Sequence, residues 1–189
     1  METTLTTPVR TSGLLLTLGA TAWAIGTFIV GDDIYQGIQT LDTVTGMLFV
    51  VGVFAWILTV SKKRLAGDGV ARFVPYALMV TLPCAFLLNA LSFGYARHED
   101  FPLWLAILDA SWPLSQLLLL VLGIVMAAGK RLDGALRWLP LLAGMWFPVT
   151  MAASIVGGDT VSTIVSGIWL IGTFGALGVL VAAQPHRLP

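Results

Sequence analysis

Residues 108–116 read Leu-Asp-Ala-Ser-Trp-Pro-Leu-Ser-Gln within a stretch of otherwise apolar side chains. A carboxylate (Asp109), an indole (Trp112) and an amide (Gln116) fall within about two helical turns of one another. Such a set can hold a small ligand: the carboxylate supplies charge, the amide directs hydrogen bonds and the indole forms an apolar wall. Asn89 and Asp42, on other apolar runs, add a second amide and a second carboxylate. The candidate ligand-binding residues are therefore Asp109, Trp112, Gln116, Asn89 and Asp42. Asp42 and Asp109 are also the best pair for acid–base chemistry or for holding a cation through oxygen. A plainer reading of the same stretch is mechanical. Asp109 or Ser111 would cap a helix with Pro113 in its first turn, residues 101–108 would form a short interfacial helix, and Trp104 and Trp112 would anchor both at the headgroups.

Other chemistries lack their residues. The two histidines, His98 and His186, lie in a polar turn and at the tail, so paired axial ligands for an intramembrane haem are missing. Hydroxyl nucleophiles have no histidine base inside an apolar run. There is no Walker-type loop, HExxH or GxSxG. Cys84 is the single cysteine, which excludes an internal disulfide and a multi-cysteine metal site. No catalytic residue, metal or cofactor is expected, and a net charge of +0 points away from nucleic acid.

The elements that must position the candidates follow from composition. The chain is 57% hydrophobic and 11% charged, with a mean hydropathy of +0.90, whereas soluble domains are about 25% charged. Apolar runs of about 20 residues suit the hydrocarbon of a bilayer. Six such runs stand between polar punctuation, at residues 12–31, 42–61, 73–95, 101–129, 136–157 and 160–183. Each should be a helix, because a helix satisfies its own backbone where no water is available. The expected fold is all-α, a polytopic transmembrane helix bundle of about six spans forming one domain over residues 1–189. Ala22-Trp23-Ala24 imitates a signal-peptide cleavage site, but the apolar run continues through Val30, so an uncleaved first span is expected.

Charge fixes the orientation. Lys62, Lys63, Arg64 and Arg72 lie between spans two and three, Lys130, Arg131 and Arg137 between spans four and five, and Arg10 and Arg187 near the ends. Only Arg97 falls with Asp32, Asp33, Asp42, Glu99, Asp100 and Asp159 on the other side. The positive-inside rule then puts both termini in the cytoplasm of a multi-pass cell-membrane protein. Counting about 20 residues outward from each basic anchor brings Asp32, Asp42, Asp109 and Asp159 to one level, the outer rim. By the same rise Asn89 and Ser154 lie about 5 Å below it, Gln116 about 9 Å and Ser166 a few Å. Polar groups at that depth should face the bundle interior or a wet cavity. The expectation is an outward-facing vestibule lined by carboxylates and amides and closed below by apolar packing. Ala22 with Gly26, Gly123 with Ala127 and Gly172 with Ala176 form small-residue faces for close helix packing. Pro75, Pro83, Pro140 and Pro148 should bend helices.

Gly31-Asp32-Asp33, Leu108-Asp109-Ala110-Ser111-Trp112-Pro113-Leu114-Ser115 and Arg137-Trp138-Leu139-Pro140-Leu141-Leu142 together resemble a group of short integral membrane proteins from actinobacteria. The resemblance covers most of the chain and implies a membrane family but no mechanism. In size, span number and outward-facing site the chain is also similar to the vitamin-binding subunits of energy-coupling-factor importers, without their binding motifs. The leading expectation is a non-enzymatic binding or transport component for a small polar or cationic solute. An enzyme acting on a lipid or prenyl substrate and a structural subunit working through a membrane-protein partner are the alternatives. The lipid bilayer is the one partner expected under all three.

Overall fold

A computed structural model describes residues 3–188, with side chains from Thr7 onward; the extreme ends of the 1–189 unit lie outside the described residues. Among the described residues there is no strand. Helix α1 (Thr3–Val30) runs into a tight turn at Gly31–Tyr35, and α2 (Thr40–Lys62) and α3 (Phe73–Ser92) follow. Next come α4 (Leu103–Asp109), α5 (Ser111–Gly129), α6 (Ala135–Gly144) and α7 (Trp146–Trp169). A π-helical segment, Leu170–Gly175, leads into α8 (Ala176–Ala183).

Five helical stretches are long and apolar enough to cross a membrane. The last, Trp146–Ala183, has 38 residues, nearly twice the about 20 that one crossing needs. It folds back on itself at Gly158, whose φ of 75° suits a residue without a β-carbon. Hydrogen bonds across the two arms establish the reversal. Trp146 Nε1 donates to Ser166 Oγ at 3.0 Å, Ser162 Oγ to the Thr150 carbonyl at 3.0 Å, and Trp169 Nε1 to the Leu142 carbonyl at 2.8 Å. In one straight helix, Trp146 and Ser166 would stand about 30 Å apart. Residues 135–157 therefore make a fifth crossing and 159–183 a sixth, as the apolar runs predict.

Helix α1 packs on α2 and α8, α2 on α3, α3 on α5, α5 on α6, and α6 on the π segment and α8. Consecutive crossings are thus neighbours, and the last closes against the first. Loop contacts separate the two ends of this ring. At one end Arg131 Nη2 meets Asp68 Oδ2 at 2.8 Å, and Lys63 Nζ donates to the Leu188 carbonyl at 3.5 Å. At the other, Ile38 N donates to the Ala96 carbonyl at 3.0 Å, and Thr160 Oγ1 to Asp32 Oδ2 at 2.6 Å. The basic connections share one face and the acidic connections the opposite one.

Toward the basic face the bundle is solid. Phe49, Val53, Ile57, Leu78, Leu122 and Leu177 are at most 2% exposed. Lipid tails are as apolar as these side chains, so tight helix approach rests on close packing. Gly19 lies against the Leu48–Phe49 backbone and Gly52 against that of Leu15–Leu16; Gly123 and Gly144 interlock α5 and α6 in the same way. Gly26 and Gly123 do face neighbouring helices, whereas a β-carbon at Gly172 would meet no atom of the described residues within 4 Å. Pro83 and Pro140 sit inside helices as expected. Pro75 instead occupies the first turn of α3, where no helical hydrogen bond is lost, whereas Pro148, which has no N–H for the Gly144 carbonyl, follows the break between α6 and α7.

Candidate functional site

Below the acidic-face loops lies a half-open cavity of about 290 Å³. Helices α2, α3 and α5 each turn a polar group into it: Asp42 from the first turn of α2, Asn89 from the last turn of α3, and Gln116 from the second turn of α5. Asp109, at the end of α4, and Trp112 complete the set, so the structure brings all five expected residues to one cavity. The loop residues Ile34, Gly37, Ile38 and Gln39 line its mouth, and the exposed His98 stands at the rim.

The arrangement around α4 and α5 corrects the capping reading. A capping residue needs extended backbone, but Ala110 between the two helices is helical, at φ −58° and ψ −16°, and no side chain caps α5. Pro113 has no N–H for the Asp109 carbonyl, which is where the helix is interrupted. Asp109 is left half-buried at the cavity, and Ser111 Oγ is buried without a partner. Helix α4 does behave as a surface helix: Leu103, Trp104 and Ile107 are exposed and Leu105 is buried.

Two residues that the sequence reading did not place in the site, Trp23 and Trp146, form its walls with Trp112. Trp23 stands between the other two indoles, with ring centroids 5.4 Å from Trp112 and 5.1 Å from Trp146. Each indole N–H is already bonded to a neighbouring side chain. Trp23 Nε1 donates to Asp42 Oδ1 at 2.9 Å, Trp112 Nε1 to Asn89 Oδ1 at 3.1 Å, and Trp146 Nε1 to Ser166 Oγ at 3.0 Å. Phe49, 4.8 Å from Trp23, and Phe174, 4.9 Å from Phe49, continue the aromatic stack toward the solid half and close the floor. A buried indole needs an acceptor for its N–H. Trp23 was legible on that ground as a residue in search of a polar partner, though not which partner it would find.

The Trp23–Asp42 bond also corrects the depth of Asp42. A straight count puts Asp42 at the rim beside Asp32, and Trp23 nine residues, about 13 Å, below Asp32. The connection after α1 lines the cavity mouth, so α2 starts lower than the count assumes. Asp32 and Asp159, by contrast, are exposed and line neither this cavity nor its neighbour.

A second compartment of about 310 Å³ adjoins the first and shares Trp23, Ile34, Asp42, Trp146 and Phe147 with it. Its other walls are rich in hydroxyls, from Thr27, Thr150, Ser154, Ser162, Thr163 and Ser166. The Thr163 hydroxyl is buried without a partner. So is Gln116 Oε1, on a side chain only 3% exposed.

With its indole N–H groups bonded within the framework, the main cavity offers a visitor carboxylate groups, an amide side chain and aromatic surface. No Lys or Arg lines it. Such a surface favours a positively charged or hydrogen-bond-donating guest. Comparison with known proteins finds no matching family model, no matching curated protein and no matching solved structure.

Proposed function

We propose that this multi-pass membrane protein binds a small organic cation from the outer side of the cell membrane, as the receptor part of an uptake or sensing system. The observation that carries the reading is the convergence of Asp42 and Asp109 on a cavity walled by three indoles and lined by no Lys or Arg. A cation over an indole ring gains roughly 0.5–2 kcal/mol, more as water is excluded. Asp42 and Asp109 supply the countercharge. Asn89, held by Trp112, and Gln116 orient the guest. The positive-inside rule puts the basic face in the cytoplasm and the cavity mouth outside. A bundle serving only as scaffold for a partner would have no need of such a cavity.

The test is titration of the purified protein in nanodiscs with choline and with its neutral isostere 3,3-dimethylbutan-1-ol, read by tryptophan fluorescence. Choline should saturate the signal and bind at least about tenfold tighter than the isostere. Asp109→Asn should weaken choline binding by about tenfold or more without altering the melting temperature. Equal affinities for the two probes, or choline binding unaffected by Asp109→Asn, would sink the assignment. Chemical conversion of a bound molecule, seen by mass spectrometry, would replace it with the enzyme reading.

A further inference from the structure

A cleft adjoins the cavity on one side. It runs between the outer turns of α5 and α7, which barely touch, and has a volume of about 470 Å³. Leu117 and Leu120 of α5 and Pro148 of α7 form its apolar walls. Pro113, Gln116 and Phe147 line both the cleft and the cavity. Leu117 and Phe147 are exposed, at 56% and 36%, on the surface that faces hydrocarbon in a membrane. Gln116 is the only residue of the cleft with a polar side chain, and its unpartnered, buried oxygen stands at the junction.

We infer that the cleft admits the alkyl chain of an amphiphilic ammonium compound drawn sideways from the outer leaflet, while its head group seats between Asp42, Asp109 and the indoles. The inference rests on the organic-cation reading above and names the ligand class more narrowly. Its chemistry follows from the two surfaces being continuous but opposite in character. The cavity is acidic and aromatic; the cleft is oily and opens toward lipid. A chain entering from above would lie in the watery mouth, whereas a chain left in the cleft stays in apolar surroundings, each buried CH₂ being worth about 0.8 kcal/mol against water. The head then needs to move only past Gln116, whose side chain lines both spaces. An anionic or zwitterionic phospholipid head fits poorly, because its phosphate would face two carboxylates.

The experiment uses the full chain in nanodiscs, labelled tetramethylammonium as the head-group probe and dodecyltrimethylammonium as competitor. Leu117→Phe combined with Leu120→Phe fills the cleft from residues that line neither of the two polar compartments. The filled variant should retain tetramethylammonium affinity within about twofold and lose about tenfold or more in dodecyltrimethylammonium affinity. Membrane partitioning of the competitor is the same for both proteins, so it cancels. Retention of both affinities, or equal loss of both, overturns the inference while leaving the cation reading standing. Failure of the wild type to bind tetramethylammonium removes the cation reading itself. A photoreactive diazirine in the middle of the chain gives a readout on the wild type alone: adducts on residues 117–120 or 147–148 support the side entry, and adducts confined to the acidic-face loops refute it.

Discussion

The two halves of this bundle are built from the same helices but solve the polar-group problem differently. In the half toward the basic face, hydroxyls are bonded to one another or to backbone: Thr59 Oγ1 donates to Ser12 Oγ at 2.9 Å, and Ser12 Oγ to the Val9 carbonyl at 2.8 Å. Glycines let the helices touch backbone to backbone there. In the half toward the acidic face, indoles line the cavities, and among the described residues the buried side-chain polar atoms without partners, on Ser111, Gln116 and Thr163, are all found there. A buried unpaired polar atom costs about 1–3 kcal/mol. Its concentration beside cavities in one half marks a region shaped for something other than stability.

The contrast breaks most severely if a glycine contact of the solid half is filled. Gly52→Leu would drive a side chain into the Leu15–Leu16 backbone and is expected to destabilise by about 3 kcal/mol or more. Thermal unfolding in detergent, compared with Gly172→Leu as the open-space control expected to stay within about 0.5 kcal/mol, measures it. Next in size is Trp23→Phe, which leaves Asp42 Oδ1 without its donor. Stability should fall by about 2 kcal/mol, and ligand affinity should fall with it. If the indole served packing alone, the loss would not depend on Asp42, so a double-mutant cycle with Asp42→Ala, which removes the acceptor, reads the coupling directly.

Gln116→Leu should separate the two roles. Removing an unpartnered buried amide leaves stability unchanged or raises it by about 1 kcal/mol, while choline affinity drops. A stability loss comparable to that of Trp23→Phe would mean that the amide has a structural partner after all. The smallest effect belongs to the surface of the basic face. A hydrogen bond and the positive charge of Arg131 hold the Asp68 carboxyl below the ordinary carboxylate range. Its contribution is therefore present above the unfolded value near pH 4 and is lost as pH falls through the lower folded value. Asp68 is fully exposed, so salt screens the pair. Melting curves of wild type and Asp68→Asn should differ slightly at neutral pH and low salt, and coincide both at acid pH and at high salt.

Much of this was legible because its causes are local. Apolar runs long enough to cross, the fold-back at Gly157–Gly158 and the division of charged loops between two faces depend on each segment's own composition. Asn89 and Gln116 were legible for a related reason: a polar side chain at depth has only the bundle interior to face; Asp42, Asp109 and Trp112 were singled out by residue type alone. Trp23 and Trp146 escaped because an indole in an apolar run is ordinary until its neighbours are known. The level of Asp42 escaped because the count assumed that every helix starts at the rim.

The sequence by itself determined an all-helical chain made for a bilayer, its alternating crossings and the side that carries positive charge, since hydrophobic transfer and backbone satisfaction act residue by residue. Tertiary structure alone decided which indole bonds to which carboxylate, amide or hydroxyl, that Asp32 and Asp159 stay outside while Asp42 and Asp109 line one cavity, and that the buried Gln116 oxygen finds no partner. Those outcomes depend on the rotation of each helix about its own axis and on the dip of one loop, which only packing against the other helices sets.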